Sequence, residues 1–345
     1  MLLARRAARR LARDVARVVP PFASERLHVA QDALEGVVPV TARWMTVSDE
    51  PRLPFVAAVD PDEVADGSPA SFIVKVATDP VGIQRLVAEA SVLEGLAADD
   101  RLGDWRALVP TLVMSRALPD RHLTVQQRLP GRPLHLDDGS WEHRRLDVAA
   151  ALDAIAPMHV ATARSTTAEQ PFAAAIDAPL ERVARAVTGR TLGGRPMDDA
   201  IRRLRDHLAN ALLRRPMVVS RVHRDYWPGN ILVRPASNVV EGIVDWEAAT
   251  VEGSPVIDTV GMWVAARRRA ARRSTGEQAA ALLTDPGEPI LADVTLAAGA
   301  AGLDVSTAVL LAWLAAIDGT LTRYPWLAAG TWIDRNIAPV VEASP

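Results

Sequence analysis

The sequence predicts an α+β fold, a small strand-rich lobe followed by a larger helical one. Strand-length apolar runs gather before residue 130, and helical periodicity dominates after it. Leu129-Pro130-Gly131 breaks the chain between the two regimes. The predicted divisions are residues 1–24 as a basic amphipathic helix, 25–128 as an N-terminal lobe and 129–345 as a C-terminal lobe, with the cleft between lobes as the default ligand site. A chain of 345 residues fits about two such units.

The elements follow in order. In residues 1–18, Arg6, Arg9, Arg10, Arg13 and Arg17 share one helical side and Leu3, Ala7, Leu11, Val15 and Val18 the other, until Pro20-Pro21 ends the helix. Such a helix can lie on an anionic membrane; we read it as docked on the body with its arginines in water. No apolar run follows the charges, so a secretory signal is not expected and the chain is assigned to the cytoplasm. Val38 to Val47 and Leu53 to Val59 read as strands around the turn cluster Ser48 to Pro51. The strand Ser71 to Ala77 puts Phe72, Val74 and Val76 on one face and Ile73, Lys75 and Ala77 on the other. Asp79 and Pro80 then start a helix whose apolar stripe, Leu86, Ala90, Leu93 and Leu96, includes Glu89. Leu123 to Gln127 is a further strand. Helices follow at Leu146 to Ala163 and Asp198 to Leu213, and helical patterning returns after Ser254. Val305 to Ile317 is too short to span a bilayer and reads as a buried helix.

Composition excludes several classes of function. The formal charge is −3 and the pI near 6.2, so there is no basic field for nucleic acid. Without cysteine there is no disulfide, thiolate zinc site or cysteine nucleophile. Of the 39 basic residues only Lys75 is a lysine, and because Val74 precedes it a Walker A loop is ruled out. An ammonium placed mid-strand among apolar neighbours needs a partner or a ligand. Glu89, on the inward stripe of the next helix, is the expected partner; Glu94 competes from a weaker stripe.

The densest chemistry lies at 223–230, His-Arg-Asp-Tyr-Trp-Pro-Gly-Asn. The strand Ile231 to Val233, a turn over Pro235 to Asn238, and a second strand Val239 to Val244 lead to Asp245-Trp246-Glu247. Asn230 and Asp245 are equidistant from the Ser237/Asn238 centre of that turn, so a hairpin places them at the same end of the ladder, give or take a bulge at Gly242. Asp225 lies on the loop bent by Pro228-Gly229. Two carboxylates and an amide oxygen suit Mg²⁺. Phosphoryl transfer uses such a set: a carboxylate to orient the acceptor hydroxyl (Asp225), an amide and a second carboxylate for the metal (Asn230, Asp245), a lysine for the phosphates (Lys75) and a glutamate to fix that lysine (Glu89).

His223-Arg224-Asp225 with Asn230 matches the catalytic-loop pattern of the protein-kinase-like fold. The fuller string, His-x-Asp-x-x-Pro-Gly-Asn-Ile-Leu-Val and then Val-Asp-Trp-Glu, resembles the aminoglycoside phosphotransferase/choline kinase family. Leu129 to Leu134, Met158-His159 and Ser254 to Asp258 add to the likeness, which covers about residues 70–265; Ser254 stands where the family has a first aspartate. The resemblance implies a protein-kinase-like bilobal fold and ATP- and Mg²⁺-dependent transfer of a γ-phosphate to a small-molecule hydroxyl. It implies that adenine meets backbone near Gln126, Gln127 and Arg128, that Asp258 braces the catalytic loop, and that His223 and Trp246 are structural. The turn over Ser48 to Leu53 has no glycine, so the usual phosphate flap is missing or replaced, and no Ala-Pro-Glu follows Asp245. A sugar or amino alcohol-like metabolite is the expected acceptor. An aminoglycoside-type antibiotic kinase and a nucleotide-binding pseudokinase or docking module are the alternatives. Arg267, Arg268, Arg269, Arg272 and Arg273 form either a solvated helix face or, if turned to the site, a preference for a neutral or anionic acceptor.

Overall fold

The computed structural model describes residues 31, 43–48, 54–60, 71–134, 141–166, 173–213, 216–324 and 330–344. The basic segment 1–18 and most of the 48–53 turn lie outside them. The chain divides into two units, residues 1–91 with 111–128, and 92–110 with 129–345.

Five antiparallel strands make the sheet of the first unit: β1 (Arg43–Ser48), β2 (Phe55–Asp60), β3 (Phe72–Ala77), β4 (Leu112–Leu118) and β5 (Arg121–Gln127), in the order β1-β2-β3-β5-β4. Alternation on β3 works as the sequence requires. Val74 and Val76 join Phe55, Ala57, Val59, Leu123 and Val125 in one buried cluster, with Phe72 packed against it. Lys75, out of phase with them, pairs in register with Val56 and Thr124. The edge strand β4 was not foreseen from sequence; only Leu112, Met114 and Leu118 of it are even partly covered, so its residues carry a weak two-fold signal.

Helix α1 (Pro80–Ala97) starts where Asp79 predicts, with the Gly82 N–H donating to Asp79 Oδ1 at 2.9 Å. Leu86, Glu89, Ala90, Leu93 and Leu96 are all buried, and Glu94 is exposed. The end of α1 and the turns up to Pro110 group with the second unit, whereas the sequence assigns them to an N-terminal lobe over 25–128. Side chains account for this: Arg221 bonds Asp99 and the Gly95 carbonyl, and Trp105 donates to the Ala154 carbonyl at 2.6 Å.

The second unit continues with β6 (Arg132–Pro133), α2 (Trp141–Thr162), β7 (Arg164–Thr166), α3 (Ala178–Val187), β8 (Thr191–Leu192), β9 (Arg195–Pro196), α4 (Met197–Leu212), β10 (Met217–Val222), β11 (Ile231–Val233), β12 (Val240–Ile243) and β13 (Thr250–Gly253). Helices α5 (Val256–Ala271), α6 (Thr275–Thr284), α7 (Leu291–Ala300), α8 (Val305–Arg323), α9 (Thr331–Asn336) and α10 (Ala338–Ala343) complete it. Two three-stranded sheets, β13-β10-β7 and β12-β11-β6, hold the loop 223–230 at their junction. Helix α8 runs six residues beyond the expected Ile317, which makes it long and apolar enough by length and composition to cross a membrane. It is nonetheless a core helix: Thr307 to Ala315 are buried without a break, and its charged residues Asp318 and Arg323 make ion pairs within the unit.

Candidate active site

In the first unit, the lone lysine has the partner its neighbourhood predicts. Lys75 Nζ lies 2.8 and 3.0 Å from the two carboxylate oxygens of Glu89, with the residues 8% and 1% exposed. An ion pair this enclosed survives because each charge compensates the other. On the same face of the sheet stand Thr124, opposite Lys75, and Gln126, two residues further along β5. Both are buried, and Thr124 Oγ1 and Gln126 Nε2 lack hydrogen-bond partners among the described residues. The backbone that was expected to meet adenine is partly engaged: Gln127 N donates to Thr111 O and Arg128 N to Ser71 O, each at 2.8 Å. These N–H groups close the strand ends of the sheet, so a base there would have to use other atoms.

In the second unit, Asp258 organises the loop after β10. Its carboxylate accepts from His223 N at 2.7 Å and Arg224 N at 2.8 Å, and pairs with His159 Nε2 at 3.0 Å. His223 is fully buried, and both its ring nitrogens are used. Nε2 donates to the Val244 carbonyl at 2.9 Å, which leaves Nδ1 to accept from Asp225 N at 3.3 Å. Trp246 packs against the same ring, centroids 4.5 Å apart, and is itself 1% exposed. Both residues are therefore structural. Arg224 is held at φ 64°, a left-handed conformation unusual for a side chain with Cβ, and its guanidinium pairs with Asp318.

Asp225 is held by one oxygen. Its Oδ2 accepts from Arg323 Nη2 at 2.9 Å and from Asn230 Nδ2 at 3.4 Å, and its backbone carbonyl accepts from the same Asn230 amide at 3.0 Å. Oδ1 has no partner among the described residues. Asn230 is 4% exposed, and because its nitrogen is engaged, Oδ1 is the atom it can offer a ligand.

The β11–β12 hairpin forms with its register one residue short of the expected pairing. Ile231 faces Ile243, and Asn230 O accepts from Val244 N, so Val244 takes the place predicted for Asp245. A bulge opposite Leu232/Val233 admits one extra residue on β12. Asp245 follows the paired Val244 and leaves the ladder in a left-handed conformation, φ 64°, ψ 61°. Asn230 and Asp245 offer oxygen ligands and no sulfur or imidazole. No group of three or more His, Asp or Glu among the described residues could hold a metal by itself. That donor set fits Mg²⁺, which binds through one or two protein ligands and completes its shell with phosphate oxygens and water.

Arg323 belongs to the same cluster without any sequence signal to announce it, and so does Glu247, which the sequence singles out only as the end of Val-Asp-Trp-Glu. Arg323 Nη2 lies 3.2 Å from Glu247 Oε1 as well as 2.9 Å from Asp225. Burial works against the charge of its guanidinium, but Asp225 and Glu247 outweigh it and raise its pKa. The arginine run 267–273 is divided: Arg267 and Arg273 each lie 2.7 Å from the buried Glu288, while Arg269 sits over the Trp227 ring at 5.8 Å. Arg268 makes no ion pair among the described residues, and burial, then the charge of Arg269, lowers its pKa.

A family model described as APH, the phosphotransferase enzyme family, matches residues 60–295. Among solved structures, the GDP complex of a point mutant of aminoglycoside 2'-phosphotransferase IIIa is similar with TM-score 0.55 and 16% identity, over 92% of this chain and 97% of its own. Aminoglycoside phosphotransferase APH(3'')-Id from Streptomyces rimosus gives TM-score 0.51 and 17% identity, over 84% and 97%. ADP-bound APH(2'')-Ib gives 0.50 and 12%, over 92% and 97%. At these identities the likeness is one of fold. No match is found among curated proteins.

Proposed function

The chain belongs to the phosphotransferase enzyme family and has its protein-kinase-like fold, and from that premise we propose that it moves the γ-phosphoryl group of ATP onto a hydroxyl of a small molecule. The observation that carries this reading is the state of Asp225: one carboxylate oxygen is fixed by Arg323 and Asn230 and the other is without a partner among the described residues. A general base needs such an arrangement, orientation from one side and a lone pair left on the other. The acceptor O–H would bond to Asp225 Oδ1 and yield its proton there as the oxygen attacks phosphorus and ADP leaves.

Lys75, fixed by Glu89, is assigned to the nucleotide phosphates, and Asn230 Oδ1 with the Asp245 carboxylate to Mg²⁺. Held there, Mg²⁺ supplies neutralisation of charge across the phosphates. Support for a purine nucleotide as donor comes from the ADP and GDP held by similar folds. The aminoglycosides in those proteins' names are not carried over, since the likeness is of fold alone. The test is thermal stabilisation of the full chain by Mg-ATP, followed by transfer of labelled phosphate to a panel of hydroxyl compounds. Stabilisation and a labelled product are expected; a chain that Mg-ATP does not stabilise would sink the reading, and stabilisation without any product would favour a nucleotide-binding module.

A further inference from the structure

The catalytic loop and helix α8 meet through two ion pairs of opposite sense. Arg224 pairs with Asp318, and Asp225 with Arg323. Asp318 is 4% exposed and also pairs with Arg182, which fixes the helix side of this contact. Arg323, in the last turn of α8, is thereby delivered to two carboxylates at once, Asp225 and Glu247. The side chains of Asp225, Glu247 and Arg323 are 27%, 13% and 24% exposed, so the trio is partly open to solvent.

Two carboxylates converging on one point make a seat for a cation. An acceptor with an ammonium group beside its reacting hydroxyl would use that seat, because its hydroxyl must reach Asp225. Here the chain fills it with its own guanidinium. A bidentate-capable, permanently charged group is hard to displace from two acids by a more strongly hydrated ammonium. Arg224 next in sequence and Arg269 over Trp227 add positive charge along the same loop. We propose that Arg323 is a specificity-determining residue: it stands in for a substrate cation, so the acceptor carries no positive charge next to the hydroxyl that is phosphorylated. This rests on the reading of Asp225 as the base of a small-molecule kinase.

The experiment compares the full-length wild type with Arg323→Ala and Arg323→Gln, using a neutral polyhydroxyl compound and its amino-substituted analogue as matched probes. Mg-ATP stabilisation is measured first on each protein and reports only on the kinase reading. Stabilisation by the two probes in the presence of Mg-ATP, and their kcat/KM where turnover is seen, report on Arg323. Wild type is expected to favour the neutral probe. Both variants are expected to shift the preference toward the amino probe by about tenfold or more, since removing the guanidinium exposes two acids to it. A structural role alone would weaken both probes together and leave their ratio unchanged, and that result overturns the proposal. So does a wild type that already favours the amino probe. If Arg323→Ala fails to fold, Arg323→Gln, which keeps part of the aliphatic stem and an uncharged hydrogen-bonding amide, carries the test.

Discussion

The two units hold their key carboxylates by different means. Glu89 meets the chain's one lysine on the covered face of a sheet, 1% exposed, in a pair made by residues 14 apart. Asp225 meets Arg323 from 98 residues away, with both side chains about a quarter exposed. The first pair is local and enclosed, each charge compensated by the other. The second is distant and open, and its role requires access: a base walled in as Glu89 is could not meet an acceptor. The contrast separates an enclosed carboxylate paired with a lysine from a partly exposed one that we propose exchanges a proton.

The sharpest way to break that contrast is Asp225→Asn. It keeps shape and the bond to Asn230 but removes the base, so turnover is expected to fall roughly 10²- to 10⁴-fold with Mg-ATP binding retained. Steady-state rates and a nucleotide titration on the same preparation check both halves. A normal rate would show that Asp225 is not the base.

On the sealed side, Glu89→Ala leaves the Lys75 ammonium buried without its acid, and deletion of one member of such a pair typically costs about 3–5 kcal/mol. Chemical denaturation of variant and wild type measures it. Lys75→Arg keeps the charge but not the length or shape, and a large loss of activity is expected alongside a smaller loss of stability. Intact activity in Lys75→Arg would remove the lysine from the phosphate site.

Asp258→Asn tests the brace beneath the open pair. Three donors, two backbone N–H groups and His159 Nε2, converge on its oxygens. An amide replaces one acceptor oxygen with a donor, and a donor left unsatisfied there costs about 1–3 kcal/mol. A lower melting temperature with a lower kcat is expected.

The smallest effect is expected at a surface pair that does neither job. Glu277 joins Arg335 and caps α6 with Ser274, and the Arg335 bonds foremost hold its carboxyl down at about 2, against an ordinary value of 4.5. A depressed carboxylate stabilises the fold fully above its unfolded pKa and loses that contribution as pH falls from about 4.5 toward 2. Because the pair is solvent-screened, its contribution stays within about 1 kcal/mol. Melting temperatures of Glu277→Gln and wild type should converge at the acid end of that window and separate above it.

What was legible in sequence follows the same division. Strand alternation around Lys75, the stripe bearing Glu89 and the Asp79 cap are short-range patterns, and each is found where periodicity puts it. The hairpin was legible to within one residue, and the register shift falls beside Gly242, where the sequence allows a bulge. Arg323 was not legible. It is one arginine among many, and its distinction is the end of a helix that brings it to residue 225. The buried amide of Gln126 and hydroxyl of Thr124 were hidden too, since facing of that kind appears only once β3 and β5 are paired.

The double clasp between the loop and α8 also has a consequence in time. Arg224 and Asp225 emerge during synthesis 94 and 98 residues ahead of the charges that hold them. A nascent chain that has reached Asp245 therefore has the loop sequence and the hairpin but not the helix that orients the base. Contacts this distant form late, after their loop-closure entropy has been overcome. Until α8 is in place, the loop therefore lacks both the carboxylate that pairs with Arg224 and the guanidinium that fixes Asp225 Oδ2.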